Sequence, residues 1–214
     1  MDTELRLLTN KLLKKEKESS EQIINDFKRY LNQNSHNIIF NWHPLGFVHS
    51  KLCYIPNIGD LRLHVWLDGF RNTQLPHMPI HDHIFNVNSF ILSGTVTNHI
   101  FEVGNGKDNG HLYRTYEAQY NNGGSLLSPT EELLTCRLKS SDIYSKGDFY
   151  IVKKELFHET IVEAGNFAAT LVITTERDDT KQPKILGPIK SHEYFYSREK
   201  CNEPIFEIIK ERIY

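Results

Sequence analysis

Residues 60–94 read DLRLHVWLDGFRNTQLPHMPIHDHIFNVNSFILSG. Their opening has a period of two: Leu61, Leu63, Val65 and Leu67 alternate with Arg62, His64 and Trp66. Successive side chains of an extended chain point to opposite faces, so this run is a strand with one apolar side. Two readings of its other side stand. If Arg62, His64 and Trp66 look inward, they line a cavity suited to an anionic or aromatic substrate. If they look outward, the leucines and the valine fill the core. The alternation favours the second, because an apolar face seeks the core. Residues 90–94 and 95–103 read as two strands joined at Ser93-Gly94, and residues 148–153 and 167–175 as two more. Gly and Asn clusters at residues 104–110 and 121–124 mark loops. Short strands at regular spacing predict a mainly β sandwich or barrel.

Upstream, the pattern changes to helix. Ile23, Ile24, Phe27 and Leu31 share one face, and Ser19 with Gln22 fits a capping box. A short helix, a charge-rich break around residues 11–17 and a second amphipathic helix are expected, flanking the β region or meeting a partner subunit. A last short helix is expected over residues 204–212, with Pro204 in its first turn. The predicted organisation is a helical flank over 1–35, a β-barrel over 36–200 and a helical tail over 201–214, together one domain.

The 214 residues carry a net charge of -2, so no global field favours nucleic acid or an anionic membrane. No basic stripe with interleaved aromatics occurs. Cys53, Cys136 and Cys201 are odd in number and widely spaced, which argues against a disulfide framework and for a reducing cytoplasm. No signal segment or membrane-spanning run is read. Neither a G-x-S-x-G elbow nor a phosphate-binding glycine loop is present.

The chemistry sits at Pro79-Ile80-His81-Asp82-His83. In an extended segment His81 and His83 share a face and present two imidazoles to one ion. His158, after the strand over 148–153, is the candidate third ligand. Asp82 should point away and orient a neighbour. His36, His43, His49, His77, His111 and His192 read as surface or structural residues, and His99 as structural.

The segment HDHIFNVNSFILSG resembles the first cupin motif, with His81, His83 and Gly94 in the expected places. GDFYIVKKELFH resembles the second, where Gly147 stands eleven residues before His158. The resemblance implies a cupin double-stranded β-helix, a jelly-roll barrel with one divalent metal on His81, His83 and His158. The sequence departs from the pattern at Leu75, Lys153 and Glu155, where the family has glycine, proline and glycine. Val87 or Asn88 stands where the family has a glutamate ligand. Three histidines without that carboxylate resemble the thiol dioxygenases, of which cysteine dioxygenase is the familiar case. Their cysteine–tyrosine crosslink has no counterpart, since Asn88 takes the cysteine's place. The resemblance implies a non-haem iron(II) oxygenase using dioxygen on a small molecule, a thiol among the options. Fe(II) leads, with zinc, manganese and nickel following.

Site candidates beyond the metal ligands are Lys51 and Arg62, with Arg71 as a rival, to anchor an anion, His64 as a supporting group, and Tyr150. If Tyr150 faces inward, its phenol bonds substrate or oxygen; the reading preferred has Phe149 inward and Tyr150 as wall or surface. Two other classes remain: a cupin isomerase, lyase or hydrolase with another metal, and a non-catalytic ligand-binding cupin. A homodimer is allowed.

Overall fold

The computed structural model describes residues 3–14, 20–34, 37–105, 109–121, 123–202 and 204–213. Ser19 of the expected capping box and His36 lie outside them. Two helices, α1 (Thr3–Lys14) and α2 (Ser20–Asn34), open the chain, and α3 (Ile205–Ile213) closes it. Between them lie β1 (Asn41–Trp42), β2 (Leu45–Gly46), β3 (Val48–Ile55), β4 (Gly59–Trp66), β5 (Asn72–Thr73), β6 (Asn86–Ser93) and β7 (Thr95–Asn105). These are followed by β8 (His111–Asn121), β9 (Gly124–Ser145), β10 (Phe149–Val152), β11 (His158–Ile161), β12 (Ala168–Thr175), β13 (Lys184–Gly187) and β14 (Tyr194–Ser197).

The strands form two large antiparallel sheets. The first has the order β1-β3-β4-β12-β6-β10, the second β11-β7-β9-β8-β13 with β14 also on β9. The sheets are not closed into one barrel, which corrects the expected closed form. Instead the extended residues 80–82 bridge the two edge strands of the second sheet: His81 pairs with His158 on one side and Ile185 on the other. Most of the described residues between 105 and 142 belong to the long β8–β9 pair, because alternating side chains continue through Tyr116, Ala118 and Leu127.

The outer face of the first sheet carries the main core. Leu61, Leu63 and Val65 of β4, with Leu171 and Ile173 of β12, are at most 1% exposed. They pack beneath Leu8 of α1, Phe27 and Leu31 of α2, and Ile205 and Ile209 of α3. Each such side chain contributes about 1.5–3 kcal/mol by leaving water, so all three helices are fastened by one apolar layer. The inner face holds a second cluster, with Trp66, Ile91, Val172 and Tyr150 meeting Val96 from the second sheet. Arg62, His64 and Trp66 therefore do look inward. The either/or fails because this sheet is covered on both faces, by helices outside and by the second sheet inside.

Gly94 makes the turn between β6 and β7. Its φ is +75°, and a Cβ there would stand 2.1 Å from the Phe167 carbonyl oxygen, so only glycine fits.

Candidate metal centre

His81 is held by the bridge that crosses the seam. Its N–H donates to the His158 carbonyl at 3.1 Å, and the His158 N–H returns a bond to the His81 carbonyl at 2.9 Å. His83, two residues on, accepts from the Glu155 N–H through its carbonyl at 2.8 Å. Glu155 has φ 63°, the left-handed region in which glycine is at ease. The backbone thus keeps the conformation that the resemblance assigns to a glycine. The side chain between the two histidines points the other way: Asp82 is 5% exposed, and its carboxylate accepts from the Lys184 N–H at 2.6 Å. It ties the seam to β13, and burial pushes its pKa up to about 6.

The three imidazoles converge. Their ligand nitrogens lie within 4.8 Å of one another, and Nε2 of His83 is 3.0 Å from Nε2 of His158. With bonds of about 2.1 Å, that pair subtends about a right angle at a shared ion, the angle between neighbouring ligands of an octahedron. The full set is wider than the ~4.2 Å that two such bonds can span, so the rings would draw in on binding.

Hydrogen bonds behind the rings set their tautomers. His158 Nδ1 lies 3.1 Å from the amide oxygen of Asn98, itself buried at 3% exposure. His81 Nδ1 lies 2.8 Å from the Pro79 carbonyl. Both acceptors require an N–H on Nδ1, which leaves Nε2 with its lone pair free for a metal. Burial, the nearby imidazoles and Arg62 hold His83 well below its usual pKa, and burial with His81 does the same for His158. The rings are neutral at pH 7, the protonation state that ligands need. The donor set therefore fits a divalent ion of the iron, zinc or nickel type.

The place of the family's glutamate is apolar. Val87 faces the cavity, while Asn88 turns away and donates its amide to the Ile173 carbonyl and the Thr175 hydroxyl, each at 3.1 Å. Asn88 is thereby excluded as a fourth ligand in this geometry.

A cavity of about 370 Å³ opens in front of the histidines. Its walls are the inner face of the first sheet, including Arg62, His64, Trp66 and Tyr150, with Lys51 at the rim paired to Asp60 at 2.6 Å. Tyr150 is 7% exposed and stacks on Tyr144, whereas Phe149 packs outward on Phe90, reversing the preferred reading. Arg71 lies away from the cavity and donates to the Phe70 and Asn166 carbonyls.

His43 and His49, read as surface or structural, also line the cavity, as do Phe47, Tyr120, Arg177 and Arg198. His49 pairs with His64 across the β3–β4 hairpin, which brings it to the same wall. His99 faces Glu159 at 3.9 Å, and His77, His111 and His192 are exposed.

No family model and no curated protein matches the chain. Among solved structures, that of CapF with the inhibitor 3-isopropenyl-tropolone aligns at 11% identity and a TM-score of 0.40. The alignment covers 71% of this chain and 34% of that one, so this chain spans about a third of that protein's length. No helix among the described residues is long and apolar enough to cross a membrane. What stands in its own right is a mainly β, antiparallel framework with three histidines placed to hold a metal ion.

Proposed function

We propose that the protein is a cupin-like, mononuclear metal enzyme, a non-haem iron(II) oxygenase that acts on a small molecule in the 370 Å³ cavity. One observation carries the reading: three neutral imidazoles, with no carboxylate among them, meet at the wall of a cavity large enough for a substrate. A bound iron would supply Lewis acidity and a place for dioxygen beside the substrate; a three-histidine set leaves positions open for both.

The protein's own residues do the rest. Asn98 and Pro79 fix which nitrogen of His158 and His81 faces the centre. Phe85 stacks on His83 at 5.1 Å between ring centroids and limits its rotation. Phe47 and Trp66 give an apolar wall that excludes water from that side. Tyr150 is held above its usual pKa by burial. It stays protonated and presents a hydrogen-bond donor to a bound polar group.

The test is elemental analysis of anaerobically purified protein, with and without added Fe(II), followed by oxygen uptake against a panel of small acids and thiols. About one iron per chain and substrate-dependent oxygen loss are expected. His83→Ala and His158→Ala should each lose most of the metal, while His99→Ala and His192→Ala keep it. One zinc or manganese without oxygen uptake would replace the oxygenase reading with isomerase, lyase or hydrolase chemistry.

A further inference from the structure

The cavity wall carries four cations and no carboxylate. Lys51, Arg62, Arg177 and Arg198 line it, and among the described residues no Asp or Glu does. Arg62 and Arg177 lie over the same Phe85 ring, 5.4 and 5.7 Å from its centroid. Arg198 covers Tyr120 at 5.2 Å.

These charges are only partly balanced. Asp60, behind the wall, takes Lys51 at 2.6 Å and one terminal nitrogen of Arg62 at 2.7 Å. Asp179 takes Nε of Arg177 at 2.5 Å. Arg198 forms no ion pair among the described residues, and Nε of Arg62 is buried without a partner. Nε2 of His49 is likewise buried and unpartnered, within the field of both Arg198 and Arg62. Leaving a buried N–H unmade is costly, and more so when it belongs to a charged group. Three guanidiniums also exceed what one carboxylate takes up, since a single arginine already binds it with two parallel bonds.

We propose that Arg62, Arg177, Arg198 and His49 form the head-group site of the substrate, and that this substrate ends in a dianion, a phosphate monoester or a pair of carboxylates, on an apolar body. The inference rests on the proposed function in naming the bound molecule a substrate; the binding itself needs no metal. Phe47, Trp66 and Phe85 share the cavity with the cations and the metal ligands and meet the apolar body.

Calorimetric titration of the full chain with phenyl phosphate and phthalate, against benzoate and benzyl alcohol, tests it. At least one dianion should bind at least about tenfold tighter than benzoate, with benzyl alcohol weakest; which dianion leads distinguishes phosphate from paired carboxylates. The double variant Arg177→Gln/Arg198→Gln, altered at two exposed side chains, should weaken that dianion about tenfold to a hundredfold and leave benzyl alcohol unchanged. His158→Ala should keep dianion affinity within about threefold, because the arginines remain. A wild-type protein that takes up no metal yet ranks a dianion first would sink the metal reading and support this one. Equal binding of benzoate and both dianions, no dianion binding at millimolar concentration, an unweakened double variant, or loss of dianion binding in His158→Ala would each overturn it.

Discussion

The two faces of the first sheet are built from alternate residues of the same strands, yet they live in different surroundings. Outward, Leu61, Leu63, Val65, Leu171 and Ile173 pack against three helices and leave no apolar surface wet. Inward, Arg62, His64 and Thr170 share a wall with Trp66 and Val172. Among the described residues, Arg62 Nε, Thr170 Oγ1 and the neighbouring His49 Nε2 have no hydrogen-bond partner. An unmade buried hydrogen bond costs about 1–3 kcal/mol, the same order as burying one leucine on the other side. The outer face stabilises the fold, while the inner face leaves polar groups without partners among its apolar ones.

The sharpest way to break that division is on the outer face. Leu63→Ala should lower stability by about 2–5 kcal/mol, read as a fall in the urea midpoint, through lost burial and the cavity left behind. Metal content per folded molecule should not change. A variant that folds as well as the parent but loses metal would show that the two faces are not separate.

Acid should act from the inner face. Burial, with Arg198 and Arg62 nearby, holds His49 at about 4, below its ordinary 6.5. The unfolded chain therefore binds the proton first. The stability that neutral His49 contributes is complete above pH 6.5, declines as pH falls, and is gone by about pH 4. The loss is about 3–4 kcal/mol for this group. His49→Gln should flatten that part of a stability-against-pH curve; an unchanged slope would refute it.

Asn98 tests the support behind the metal. Asn98→Ala removes the acceptor of His158 Nδ1 and should weaken metal binding about tenfold to a hundredfold in a competition titration. Unchanged affinity would mean that the tautomer is set elsewhere. The smallest effect is expected at Tyr150→Phe, which loses a buried phenol on the cavity wall. Its stability should change by about 0.5–1.5 kcal/mol, with kcat falling more than KM rises if the phenol bonds the reacting group.

Much of this was legible locally. The period of two in residues 61–67 marked β4, and the period of helical turns marked α2, because both follow from where successive side chains point. His81 and His83 were legible as a pair for the same reason, and Gly94 as a turn. His158 was reached through its spacing from Gly147 in a resemblance, and the fold then set its backbone against His81. The preferred inward residue of β10 was missed because alternation says that Phe149 and Tyr150 oppose each other, not which sheet face holds the cavity.

What the sequence by itself determined is therefore the type of the elements with a clear period, the two faces of their strands and the local histidine pair, all properties of a few consecutive residues. Tertiary structure decided the rest. Counting back from the turn, β3 and β4 pair as Ile55 with Gly59 and Cys53 with Leu61, and an even hairpin would then oppose Ser50 to His64. A bulge between Lys51 and Cys53 shifts the register, so that His49 opposes His64 and both enter the cavity. Arg177 and Arg198 arrive from after β12 and β14, brought to the same opening only when the sheets pack. No local pattern encodes such a meeting, because it depends on long-range burial rather than on the direction of neighbouring side chains.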